Sequence, residues 1–174
     1  WLTRMLDGGV DPLYLARRMA RMAVEDIGLA DPRAWRMALD AWDTFDRLGS
    51  PEGELGLAEL AIYLSVAPKS NAAYTAFNQV KDIVRETGTL DVPMHLRNAP
   101  TKLMKGLGYG KGYQYDHDAE GGVALDQQCL PDRLAGRAFY EPTDRGREGQ
   151  GREKLEALRA ARGARRATKR TREG

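Results

Sequence analysis

Apolar residues recur at helical spacing in four consecutive stretches, each with its own start and stop signals. Leu13, Ala16, Met19, Ala20, Ala23 and Ile27 keep a 3.6-residue period from Asp11-Pro12, a cap plus first helical residue, to Gly28. Trp35, Ala38, Leu39, Trp42 and Phe45 do the same between Asp31-Pro32 and Gly49, and so wide an aromatic stripe is expected in the core. Ala73, Phe77, Val80 and Val84 mark a helix from Asn71 to Thr87, capped by Ser70 and stopped by Gly88. The remaining stretch, between Ser50-Pro51 and Pro68, is different: from Leu55 to Ala67 only Glu59 and Ser65 interrupt an apolar run. A helix apolar on every side must be surrounded, so this one is expected at the centre. Its girth exceeds what one small chain is expected to cover, which implies that copies of the chain shield it for one another. Short loops between the four helices predict an antiparallel array.

Beyond Gly88 the periodicity lapses. Segments 88–100 and 112–144 carry proline and glycine punctuation without a sustained period, and are expected to wrap the helical body through Leu130, Leu134, Phe139 and Tyr140. A short helix is expected from Pro100, with Leu103, Met104 and Leu107 on its apolar side. From Gly146 the chain turns Ala-, Arg- and Glu-rich, predicting a marginal helix over Arg152–Arg162 that fades into a basic end. The fold class is therefore all-α, a compact helical array with long irregular wrapping segments in the C-terminal third. Trp1 stands in WLTRML, which reads as the last turns of a helix, so the chain is expected to be the C-terminal piece of a longer protein.

Charge sharpens this picture more than bulk composition does. The formal net charge is +2, but from Arg145 onward there are 11 basic and 4 acidic residues, leaving 16 basic against 21 acidic before it. A mildly acidic body thus carries a basic tail. No run approaches the ~18 apolar residues of a membrane span. A single cysteine, Cys129, cannot form an internal disulfide, and with only His95 and His117 beside it a structural zinc site is not expected.

The densest chemistry lies in VPMHLRNAPTKLMKGLGYGKGYQYDH, Val92 to His117. Glycines at 106, 108, 110 and 112 leave a backbone free to adopt positive φ. The run is not a phosphate-binding loop, because Lys111 is followed by Gly112 and no glycine stands five residues before Gly110. Arg97, Lys102, Lys105 and Lys111 can neutralise phosphates while Tyr109 and Tyr113 offer faces for bases, the composition of a single-stranded nucleic-acid surface. A loop whose tyrosines pack while its lysines face water is the other reading, and both stay open. Asp116-His117-Asp118 cannot converge on one metal from an extended chain, and His95 lacks a nucleophile partner, so no hydrolase or metal site is expected. Arg17 and Arg21, one helical turn apart, suit a solvated face, a subunit contact or a phosphate contact alike.

The same run, HLRNAPTKLMKGLGYGKGYQYDHD, resembles a block near the C-terminus of the MgsA/RarA-type AAA+ ATPases, replication-associated recombination proteins related to the Werner-helicase-interacting ATPase. MLDGGVDPLYLARRMARMAVEDIGLADP, IYLSVAPKSNAAYTAF, VRETGTLDVP and LPDRLAGRAFYEPTDRG resemble further blocks in the family's order, covering roughly Leu2 to Arg147. The resemblance implies that 1–10 ends the preceding AAA+ lid helix and that 11–144 is a collar like that of clamp loaders; it weakens over 145–174, which composition alone marks as a basic tail, partly helical or disordered. It implies a homotetramer, with Leu57, Leu60, Ile62, Leu64, Arg17 and Arg21 as interface candidates. It implies a cytoplasmic, nucleoid-associated parent that binds DNA at replication forks with single-strand-binding protein and the replisome as partners. ATP and magnesium would be bound upstream by that parent. No cofactor, no catalytic residue and no enzymatic activity are expected in this chain itself. Direct binding of single-stranded or fork DNA through the 97–115 segment is the alternative function.

Overall fold

A computed structural model describes residues 1–173, with side chains through Arg165 and at Ala167. Among the described residues there is no strand, and no helix is long and apolar enough to cross a membrane. The all-α expectation holds. Seven α-helices follow one another: α1 (Leu2–Asp7), α2 (Pro12–Met22), α3 (Arg33–Leu48), α4 (Glu54–Val66), α5 (Ala72–Thr87), α6 (Lys102–Gly106) and α7 (Glu148–Glu173). The chain forms two compact units, one of Trp1–Gln79 with Phe139–Glu153, the other of Val80–Ala138 with the residues from Lys154 on.

In the first unit α2, α3 and α4 pack pairwise. The seam between them is built from small residues: Ala16, Ala23, Ala34, Ala38 and Ala41 are buried, with Ile27, Phe45, Leu57, Leu60 and Leu64 filling the spaces around them. Each fully enclosed leucine contributes about 2 kcal/mol of transfer free energy. The alanines instead let backbones come close. Gly53 continues the seam at the start of α4, where a Cβ would lie 2.8 Å from the Phe45 Cα. This is also where the expected start at Ser50-Pro51 fails. The Gly53 N–H donates to the Gly49 carbonyl at 2.6 Å, and regular helix begins only at Glu54.

The starts of α2 and α5 and the end of α4 follow their local signals. The Asp11 carboxylate accepts from the Leu13 N–H at 3.0 Å, capping α2. Ser70 Oγ accepts from the Ala72 N–H at 3.2 Å at the head of α5. At the far end of α4, Ala67 turns extended ahead of Pro68, and Lys69 Nζ donates to the Leu64 and Ala67 carbonyls at 3.1 Å each. Residues Ala23–Ile27 wind into a π turn, and the Asp26 carbonyl accepts from the Ser70 N–H at 2.8 Å. α7 runs well past the expected 152–162 helix in both directions.

Two buried carboxylates tie the first unit together. Asp31 accepts from Arg33 Nε at 2.8 Å and Nη2 at 2.9 Å, and from the Tyr63 hydroxyl at 2.5 Å. The Arg33 hydrogen bonds outweigh burial, with Tyr63 assisting, and hold the Asp31 carboxyl down at about 2. Glu148 accepts from the Tyr140 hydroxyl at 2.5 Å, from Thr143 Oγ1 at 2.6 Å and from the Thr143 N–H at 3.2 Å. Burial alone would raise its carboxyl, but hydrogen bonds from Ser70, Thr143 and Tyr140 more than offset that and leave it below the usual range. Around Glu148 the segment 139–148 is strapped on: the Arg147 N–H donates to the Ala30 carbonyl at 2.8 Å and Arg145 Nη1 to the Lys69 carbonyl at 3.1 Å.

Asp31→Asn is expected to cost about 2 kcal/mol at pH 7, the free energy of a shift of nearly two pH units. The Asp31 carboxyl is depressed by folding, so its contribution is full above the unfolded value near 4 and fades as pH falls towards about 2. Urea unfolding followed by circular dichroism between pH 5 and pH 2 checks both statements, the variant losing that share of the wild-type slope. Gly146 has φ +52°, and a Cβ there would stand 2.2 Å from the Ala30 carbonyl oxygen. Gly146→Ala is therefore expected to cost more than Gly49→Ala, which at φ +68° and ψ −167° with open space around it carries only backbone strain of ~1–3 kcal/mol. Paired denaturation midpoints decide between steric and conformational loss.

Candidate interaction surfaces

In the second unit the Val92–His117 run folds as a chain of tight turns around α6. Thr101 Oγ1 accepts from the Met104 N–H at 3.2 Å, so Thr101 rather than Pro100 starts the helix. Gly108, Gly110 and Gly112 take φ of +87°, +73° and +85°, the left-handed region that the alternating glycines were expected to permit. Gly110 returns to the start of the run, its N–H donating to the Met94 carbonyl at 3.0 Å.

That closure divides the candidate nucleic-acid residues into two sets. Arg97 is committed within its own loop. Its Nε donates to the Val92 carbonyl at 2.7 Å, its guanidinium lies 5.4 Å from the centre of the Tyr109 ring, and Asp91 is 3.5 Å away. Arg97 and Tyr109 thus serve as struts. Lys102, Lys105, Lys111 and Tyr113 are exposed, and Tyr115 adds a further exposed ring, packed at 5.0 Å against His117. The Asp116 carboxylate accepts from the Ala124 N–H at 2.7 Å, and His95 Nε2 is 2.8 Å from the Gln128 carbonyl, so both act as loop ties. Among the described residues no group of three side chains could hold a metal ion.

The subunit-contact candidates on α4 also divide. Leu57, Leu60 and Leu64 are enclosed by their own chain and have no surface to offer a partner. Ile62 is 66% exposed, in line with Leu55 at 66% and Val66 at 78%. The run is apolar all round, as its sequence indicates, but its two sides differ in fate. One faces the alanine seam and the other faces outward. Arg17 and Arg21 are exposed on α2 and engaged locally, Arg17 over Tyr14, Arg21 over Tyr74 and paired with Glu25.

The expected core stripe of α3 needs correction. Ala38 and Phe45 are buried, but Trp35 is 58% exposed and Leu39 is exposed as well. The core side of α3 is lined by Ala34, Ala38, Ala41 and Phe45 with Trp42 packed against it, one step round the helix from Trp35 and Leu39. On α5 the apolar positions Phe77, Val80 and Val84 stay exposed, and none of its residues is buried. Their helical spacing was visible in the sequence, and only their exposure was not.

With these surfaces in place, the comparisons carry direct weight. Residues 1–159 match the family described as MgsA AAA+ ATPase C terminal. The chain is 58% identical over 156 residues to replication-associated recombination protein A of Coxiella burnetii, covering 90% of this chain and 36% of that protein. It is 50% identical over 155 residues to the protein of the same name from Escherichia coli, covering 89% and 35% respectively. ATPase WRNIP1 of Dictyostelium discoideum is 41% identical over 141 residues, 81% of this chain and 16% of that protein. The chain therefore spans about a third or less of the length of these relatives. It belongs to the MgsA-type AAA+ ATPase C-terminal family.

Proposed function

We propose that this chain is the assembly domain of a replication-associated recombination ATPase, a helical collar through which four copies join. The single observation that supports it most is the outward apolar line of α4, Leu55, Ile62 and Val66, which the chain leaves in water. In this reading Ile62 lies in the subunit contact, and Arg17 and Arg21 border it. The sequence contains no Gly-x4-Gly-Lys-Ser/Thr run, so ATP and magnesium would be bound by another part of the parent and this chain alone would not turn over ATP. DNA, single-strand-binding protein and the replisome would be partners of the assembled parent.

A second reading, compatible with the first, is favoured by the exposure of Lys102, Lys105, Lys111 and Tyr113 around a turn-rich loop. These residues would track a single strand, with phosphates on the lysines and a base on Tyr113. The struts Arg97 and Tyr109 would hold the loop's shape without touching the strand.

Light scattering should give a mass near four times the 19.3 kDa of one chain, and Ile62→Asp should reduce it while circular dichroism stays unchanged. A wild-type chain that remains monomeric across the concentration range would sink the collar. For the second reading, binding to an oligothymidine should weaken steeply with salt. Changing Lys102, Lys105 and Lys111 together to alanine should lower the slope of log K against log salt by about 2, at ~0.7 per phosphate on a single strand. An unchanged slope would assign those lysines to solvation alone.

A further inference from the structure

A cleft of about 390 Å³ lies within the second unit, between the loop 127–130, residues 136–138 and α7. Its apolar lining comes from Leu130 and Leu155, and its cationic lining from Arg137, Arg159 and Arg162. No carboxylate and no aromatic ring is among the described residues that line it. Arg159 already has a partner, so among the described residues the charge open to a ligand falls chiefly to Arg137 and Arg162, both exposed.

The loop that forms one wall is held in place. Gln127 Oε1 accepts from the Gln114 N–H at 2.8 Å, His95 Nε2 is 2.8 Å from the Gln128 carbonyl, and Gln128 Nε2 donates to the Leu130 carbonyl at 3.1 Å. Arg165 on α7 reaches Asp126 at 3.4 Å, tying the opposite wall to the same loop. A wall fixed before a ligand arrives spares that ligand part of the ordering cost.

We propose that this cleft is a docking site for an acidic peptide segment that carries an apolar side chain. The chemistry of the lining selects this class. Guanidiniums form paired hydrogen bonds with carboxylates, and Leu130 and Leu155 offer an apolar floor for one or two aliphatic side chains. A nucleic-acid strand would also meet the arginines, but it would find no ring in the cleft on which to stack a base. Charge complementarity with an acidic partner thus distinguishes this site from the lysine- and tyrosine-bearing loop. The inference stands apart from the collar reading, since it requires neither self-assembly nor the α4 surface.

The test uses the whole chain and a fluorescein-labelled peptide of four aspartates followed by two leucines, read by fluorescence anisotropy. The wild type should bind it, the variant Arg137→Glu with Arg162→Glu should bind at least tenfold more weakly, and a peptide of aspartates alone should also lose affinity. Cys129 lines the cleft and is the only cysteine of the chain, so bound peptide should slow its alkylation, a readout confined to this place. Circular dichroism of the variant shows whether it is folded, and should it not be, Arg137→Gln with Arg162→Gln replaces it. No binding to the wild type, or equal binding by the folded variant, overturns the proposal. Cysteine protection by an oligothymidine in place of the peptide overturns it in favour of nucleic acid.

Discussion

The close approach of α2, α3 and α4 along an alanine seam governs what the rest of the first unit can do. Alanine at positions 16, 23, 34, 38 and 41 removes the bulk that would keep the helices apart. The space that remains accepts Ile27, Phe45 and the leucines at 57, 60 and 64. Leu13, Met19, Met37, Trp42 and Tyr63 pack part-buried around that cluster and, at interior packing density, complete its shell. Trp35 and Leu39 on α3, and Leu55, Ile62 and Val66 on α4, are left on the outer surface for that reason. The exposed apolar surface is therefore a consequence of how the core is packed.

Such a seam gains dispersion from close contact but little transfer free energy, since an alanine buries only one methyl group. Directional bonds supply what the small side chains do not. Asp31 collects donors from Arg33 and, from 32 residues away, Tyr63. Glu148 collects Tyr140, Thr143 and Ser70, which brings the strap 139–148 to the junction between α4 and α5. Each carboxylate is buried with enough donors to stay ionised, the condition under which a buried charge is tolerable. Gly28 and Gly146 complete the fit. Their positive φ and missing side chains let the Ser70 and Ala30 carbonyls approach where a Cβ would collide.

What the sequence made legible follows from the range of each interaction. Caps and stops are local, so Asp11, Ser70, Gly49, Pro68 and Gly88 mark helix limits within a few residues of themselves. Ser50-Pro51 misled because the chain between it and Glu54 is tied back to Gly49, a contact that no cap rule contains. Periodicity reported that α3 and α4 have broad apolar surfaces, but not which side a neighbour would occupy. On α3 the expected stripe holds at Ala38, Trp42 and Phe45, whereas Trp35 and Leu39 at its edge stay outside and Ala34 and Ala41 are buried instead. In the 97–115 segment, composition could not distinguish an arginine bound to its own loop from lysines left in water. Arg97 and Lys105 read alike until the Val92 carbonyl and the Tyr109 ring are seen beside the former. The carboxylate clusters escaped notice altogether, because their members are scattered from Asp31 to Glu148.

The outward side of α4 is not a surface that the chain could hide by adjusting itself. Turning the helix to bury Leu55, Ile62 and Val66 would bring Leu57, Leu60 and Leu64 into water, exchanging one set of aliphatic side chains for another. The fully enclosed set would lose about 2 kcal/mol per residue, and the incoming β-branched side chains would have to fit holes shaped by leucine. Nor can α3 cover that side, since its own buried side, Ala34, Ala38, Ala41 and Phe45, is already taken up in the cluster that it shares with α4. In the proposed collar that cover would come from a second copy of the chain, whose Trp35, Leu39 and Val84 are themselves exposed apolar side chains. A packing defect would be expected to scatter such residues, whereas those of α3 and α4 fall on single helical lines.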